Sequence, residues 1–431
     1  MPNDICLFED PKYTQLLPLA HFRPVYYLKC GARSLKEKVE SAYPHSTVIL
    51  HCREYLQDVV KGENAGVAVN ELRGRASLFI NGRVVVDAAF TKTIRAEGPD
   101  RVYLHDGDVV AARVSGGNLK RIASSLRGPI AASVFDGLPS EEVPALLIHY
   151  PFDLVRNNEA QLRSDIASLA ANRKGKKMKG RLAPGVHLVG RREIFIAEGS
   201  TVAPGTVVDA SGGPVYLARG VTVMANSTIV GPAFVGEGST IKVGAKIYEG
   251  TSIGPHCKVG GEVEVSIIDR YSNKQHDGFL GHSYLGAWVN LGAGTTNSDL
   301  KNNYSSVDVI IDGKSVDSGE QFVGVTIGDH TKTAINTVFN TGTVVGAVSN
   351  VIAQGFPPKV IPSFAWGGSA GTFAVHDPAR ALETASRVMA RRRVILSKEE
   401  AALFGIVFEM TREERRRSGV LEQDATGAIS R

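Results

Sequence analysis

Cysteine is scarce and scattered. Cys6, Cys30, Cys52 and Cys257 are the whole complement, and no two stand in a C-x-x-C pair. Neither a disulfide framework nor a thiolate metal centre is expected from that spacing. Long hydrophobic runs are also missing, none approaching the roughly 18 apolar residues of a membrane-spanning helix. Met1-Pro2-Asn3-Asp4 lacks the basic start and apolar run of a secretory signal, so a cytoplasmic protein without a membrane span is the expectation. Charge of one sign is weak: the excess is +5 over 431 residues, and the basic residues fall in a few runs without interleaved aromatics. That pattern predicts local anion sites and no nucleic-acid surface. With 43% hydrophobic and 22% charged residues, the composition is that of a folded protein rather than a disordered one.

Glycine is abundant, with 46 residues concentrated in the second half beside Val and Ile. From Leu217 onward, Val223, Ile229, Val235, Ile241, Ile247, Ile253 and Val259 recur at every sixth position. A period of six fits neither an isolated helix nor a plain strand. It fits a parallel β-helix in which each flat face sends one aliphatic side chain inward and a small or polar residue turns each corner. The same phase holds upstream at Ile196, Val202 and Val208, and downstream at Leu285, Leu291, Ile327, Thr333, Phe339, Val345 and Val351.

Four segments follow from these patterns. Residues 1–172 alternate apolar β-rich runs with helical stretches and predict an α/β domain. Residues 173–184 form a basic linker, 185–368 the β-helix with a loop extruded near 297–321, and 369–431 a helical tail. Ser34-Leu35-Lys36-Glu37 and Ser397-Lys398-Glu399-Glu400 each have the form of a helix capping box. The tail helices are expected at the open end of the β-helix or on a neighbouring subunit.

The most polar part of the repeat is 271–304. There, His276-Asp277-Gly278-Phe279-Leu280-Gly281 is followed by Asn290-Leu291-Gly292-Ala293-Gly294-Thr295. This pair of segments, at this separation, resembles the acetyltransferase half of the bifunctional N-acetylglucosamine-1-phosphate uridyltransferase/glucosamine-1-phosphate acetyltransferase family. The resemblance implies a left-handed parallel β-helix, a homotrimer with active sites between subunits, and acetyl-CoA as co-substrate with an amino sugar phosphate as acceptor. It implies His276 as the base, with Asn290 and Lys274 in the catalytic set. Lys242, Phe279, Asn303 and Tyr304 would contact substrate, and Ala293 and Ala353 would lie along acetyl-CoA. Lys242 stands where the family has an arginine, Phe279 where it has a tyrosine, and Asn303-Tyr304 comes later than its Asn-Tyr pair. His282, His256 and His330 are read as corner or surface residues. Gamma-type carbonic anhydrases hold zinc on such a helix through His-x4-His. Five residues separate His276 from His282, so no metal ligand is assigned.

The layout of an α/β domain before a β-helix resembles the same family and related sugar-1-phosphate nucleotidyltransferases, which implies a nucleoside triphosphate and Mg²⁺ for the amino-terminal half. The Gly-x-Gly-Thr-Arg loop of those enzymes is absent after Ile5-Cys6-Leu7-Phe8, and Gly82-Arg83 replaces their metal-binding Gly-Asp. Arginine cannot ligate a cation. Asp106 and Asp108 are the acids left for a metal, and Arg23 and Arg33 the candidates for phosphate. The alternative expectation is a non-catalytic trimer that binds nucleotide-sugars or acts as a scaffold.

Overall fold

The computed structural model describes residues 4–72, 74–171, 178–420, 422–423 and 429–430. Of the basic linker, residues 173–177 lie outside the described residues.

The amino-terminal domain is a mixed six-stranded sheet flanked by helices. Its strands are β1 (Asp4–Phe8), β2 (Val48–His51), β3 (Ala76–Asn81), β4 (Arg101–His105), β5 (Asp108–Ser115) and β6 (Ser140–Glu142), in spatial order β2-β1-β3-β5-β4-β6. β1 is parallel to both its neighbours and buried on both faces from Ile5 to Phe8, which is why it reads as a continuous apolar run. Helix α1 (Leu35–Ala42) starts where the sequence predicts. Ser34 Oγ accepts from the Glu37 amide at 3.2 Å, and the Glu37 carboxylate accepts from the Ser34 amide at 2.6 Å. Helix α2 (Asn158–Ala171) closes the domain.

Residues 181–367 form a β-solenoid of about ten turns. Its strands pair in parallel along three faces, and Thr222, Thr240 and Lys258 lie side by side in successive coils. That 18-residue step is three hexapeptides per turn. All eight aliphatic residues from Leu217 to Val259 are buried inside, as are the predicted inward positions on either side of that run. The coil that carries the extruded segment throws out an antiparallel hairpin, Asp308–Ile311 with Lys314–Asp317.

The two domains share polar and apolar contacts. Gly31 donates its amide to Asn158 Oδ1 at 2.7 Å, Asn158 Nδ2 donates to the Gly250 carbonyl at 2.6 Å, and Ser252 Oγ donates to the Gly31 carbonyl at 2.8 Å. Leu162 and Ile166 of α2 pack on Phe195 and the Tyr216 and Phe234 rings stacked beside it.

Helices α3 (Pro378–Ala390) and α4 (Lys398–Met410) follow, α4 behind the second predicted capping box. They pack along a flank rather than across the open end. Ala381, Ala385, Phe404 and Val407 cover Ala347, Val348 and Phe364. Phe373 and Val420 join the interior cluster of the solenoid instead. Helix pairs with an apolar stripe need a broad surface, and the corner that carries Ala347, Val348 and Phe364 supplies one.

Candidate active site

Five coils bring their corners together in an open cleft of about 510 Å³, lined by Lys242, Gly261, His276, Ala293 and Asn336 among others. The ladder explains how residues so distant in sequence meet. Lys258, Asn273, Asn290, Lys332 and Asn350 are successive rungs of one face. The residues three positions further on are Gly261, His276, Ala293, Ile335 and Ala353, so these follow one another along the corner. Gly261 has φ +68°, and a Cβ there would stand 2.7 Å from the His276 carbonyl oxygen. Only glycine combines that left-handed turn with so close an approach.

His276 is exposed in the cleft. Lys274, placed by sequence in the catalytic set, is buried, and its ammonium donates 3.0 Å hydrogen bonds to the carbonyls of Gly260 and His276. Burial holds its pKa down at about 8, against the opposing pull of Asp277 and Glu262. Lys274 therefore holds the backbone that carries His276 and is turned away from the cleft. Asn290 lies three residues before Ala293 on the adjoining face, its Oδ1 facing Asn273 Nδ2 at 3.4 Å. Phe279 is half-buried against Gly281. Asn303 and Tyr304 sit on the extruded loop, Tyr304 two-thirds exposed, and do not line the cleft of their own chain.

Arg23 is not available to a phosphate. Its guanidinium is buried between Asp269 and Asp329 of the solenoid. Burial opposes the Asp269 carboxylate, but Arg23 and the neighbouring cations outweigh it and hold that carboxyl below its ordinary range. Arg33 donates to Ser41 Oγ at 3.0 Å and Ser168 Oγ at 3.3 Å, tying α1 to α2.

At the ends of β1 and β3, where the resemblance implies Mg²⁺, the residues do not fit a cation. Arg83 is fully buried, with Nε 3.0 Å from Asp10 Oδ1 and Nη2 2.5 Å from Asp10 Oδ2. Asp108 takes Lys12 Nζ at 2.5 Å and Arg83 Nη2 at 3.4 Å. Both carboxylates are already neutralised by side-chain cations. Asp106 points elsewhere, grouped with His105 and Glu142 at the surface.

One pairing escapes the sequence reading. His282 Nδ1 lies 2.8 Å from Asp299 Oδ2, and its ring stacks on Phe322. The 17-residue separation matches the Asn273–Asn290 rung, and that coil length is the signal that would have found it.

Residues 5–174 match the family model described as sugar nucleotidyl transferase. The chain is 31% identical over 185 residues to the bifunctional protein GlmU of Synechococcus sp. (strain RCC307), covering 42% of this chain and 35% of that protein. It is 35% identical over 96 residues to a bifunctional sugar-1-phosphate nucleotidylyltransferase/acetyltransferase of Sulfurisphaera tokodaii, covering 22% and 24% of the two chains. These matches span about a third or less of those relatives' lengths. Among solved structures, a UDP-N-acetylglucosamine acyltransferase is 16% identical with a TM-score of 0.25, covering 48% of this chain and 75% of that one. LpxA from Acinetobacter baumannii is 10% identical, also with a TM-score of 0.25, covering 54% and 96%. The chain thus joins a domain that matches the sugar nucleotidyl transferase family model to a β-solenoid, and it is similar to the bifunctional GlmU proteins.

Proposed function

We propose that the protein is a transferase of sugar-phosphate metabolism whose solenoid moves the acetyl group of acetyl-CoA onto the amine of an amino sugar phosphate. The observation that carries this reading is the gathering of Lys242, His276 and Ala293, singled out from sequence, in one open cleft. The neutral amine attacks the thioester carbonyl, a C–N bond forms, and the C–S bond breaks. His276 takes the proton that the amine must lose and returns it to the departing thiolate, so that amide and free thiol are the products. Lys242 faces a substrate phosphate as a point charge, while Ala293 and Ala353 leave room along the corner for the acyl donor. In this reading the sites complete themselves between subunits of a homotrimer. Asn290, Phe279 and the exposed Asn303 and Tyr304 contact substrate within or across subunits.

The amino-terminal domain favours a second reading for its own half, because Arg83 and Lys12 neutralise the acids a catalytic metal would need. There we propose binding of a sugar nucleotide or sugar phosphate without metal-dependent nucleotidyl transfer.

The test is thiol release from acetyl-CoA with glucosamine-1-phosphate. Turnover in the wild type and its loss in His276→Ala, with the oligomer unchanged by light scattering, is the expected result. Full turnover in His276→Ala would remove the histidine from the mechanism.

A further inference from the structure

The outward face that leads into the His276 cleft carries unbalanced positive charge. Lys258 lies between Thr240 and Asn273 in the ladder. Lys242 belongs to the coil below and flanks Gly260, where an added Cβ would stand 2.9 Å from its own. From the other side, Arg392 at the end of α3 donates a 2.7 Å hydrogen bond to Asn273 Oδ1, and Arg391 occupies the C-cap of that helix. Four cations therefore converge on one coil. Among the described residues, none of them forms a salt bridge with a carboxylate. The crowding is felt at Lys258. Its pKa is held below the ordinary lysine range by the charge of Arg392 first, then by burial, Lys242 and Arg391.

Like charges held together without counter-charge repel, and a bound anion relieves the repulsion. The extent of the patch bears on which anion. Lys258 and Gly260 are two residues apart on an extended strand, about 7 Å, and Arg392 reaches Asn273 in the coil on the far side of Lys258 from Lys242. A diphosphate diester, with one ionised oxygen on each phosphorus, spreads its charge over a longer span than a phosphate monoester does and so reaches separated cations. The arginines supply the planar fork that a lysine at 242 lacks.

We propose that Lys242, Lys258, Arg391 and Arg392 bind a diphosphate ester whose far end reaches the His276 cleft. Two substrate classes carry that group: an acyl-coenzyme A donor and a nucleoside diphosphate-sugar acceptor. The inference deepens the acyl-transfer reading by naming the anionic group that the site grips.

Isothermal titration of the full chain with coenzyme A and, separately, with UDP-N-acetylglucosamine tests it. At least one probe should bind the wild type, and its affinity should fall about tenfold in Lys258→Gln and in Arg391→Gln. Replacement of the exposed Lys246, which pairs with Glu262, in Lys246→Gln should leave binding as in the wild type. Weakening of coenzyme A assigns the patch to the donor, and weakening of UDP-N-acetylglucosamine assigns it to the acceptor. Arg391 is exposed, so its variant keeps the test valid even if Lys258→Gln disturbs the coil. His276→Ala should retain the probe's affinity while losing thiol release, which separates failure of this site from failure of the acyl-transfer reading. Wild-type affinity in both charge variants, or no binding of either probe to the wild type, overturns the proposal.

Discussion

The ammonium of Lys274 lies beneath His276, 3.0 Å from its backbone carbonyl oxygen, and spans to the Gly260 carbonyl of the coil below. The proposed base thus rides on a corner braced by a buried cation.

Replacing that brace tests the relationship. Lys274→Met keeps the stem's volume but leaves both carbonyls without their donor. Thiol release should fall about tenfold or more through kcat, with the far-ultraviolet circular dichroism unchanged. Because the folded-state pKa of Lys274 is depressed to about 8, the unfolded chain holds more protons between about pH 8 and 10.5. Wild-type stability should rise with pH across that window, and the rise should be smaller in the variant. Unchanged kcat would show that the carbonyl contacts do not position His276.

Arg23 joins the two domains through Asp269 and Asp329. Arg23→Met leaves two buried carboxylates without their cation, a loss of about 3–5 kcal/mol. A large drop in denaturant midpoint is expected. Equal stability would mean that the clamp contributes nothing net.

The amino-terminal domain should release no pyrophosphate from UTP or dTTP with sugar 1-phosphates, with or without Mg²⁺. Mg²⁺ should also leave its thermal midpoint unmoved, since Asp10 and Asp108 are already paired with Arg83 and Lys12. Mg²⁺-dependent pyrophosphate release would show that other acids do the work.

Glu414 beside Ser363 gives a pH dependence of stability. Burial lifts its carboxyl to about 7, with the Ser363 hydrogen bonds and Arg415 pulling the other way. Between its ordinary 4.5 and about 7 the folded state binds more protons than the unfolded one, so stability falls as pH rises through that window. Thermal melts at pH 5 and pH 8 should show the wild type losing roughly 1–3 kcal/mol relative to Glu414→Gln. Parallel pH profiles in the two proteins would contradict it.

Much of the fold was legible because its determinants are local. One inward aliphatic side chain per six residues dictates a solenoid, since each such residue stacks on its equivalent one coil away. Ser34 with Glu37 and Ser397 with Glu400 fix two helix starts through contacts three residues long. The corner that gathers His276 and Ala293 follows from the same periodicity once coil lengths are counted.

What the sequence could not carry is which partner each charged side chain meets. Arg23 and Arg33 look alike as exposed phosphate ligands, yet Arg23 finds acids 246 and 306 residues away and is lost to solvent. Lys274 shares the polar stretch with His276 but points inward, and Arg392, from a tail expected at the open end or on a neighbouring subunit, lies on Asn273 beside Lys258. The hexapeptide period alone determined the scaffold, because burying an aliphatic row depends on spacing. The tertiary structure decided which cations are buried clamps and which remain unpaired, because electrostatic pairing depends on distance in space and on burial.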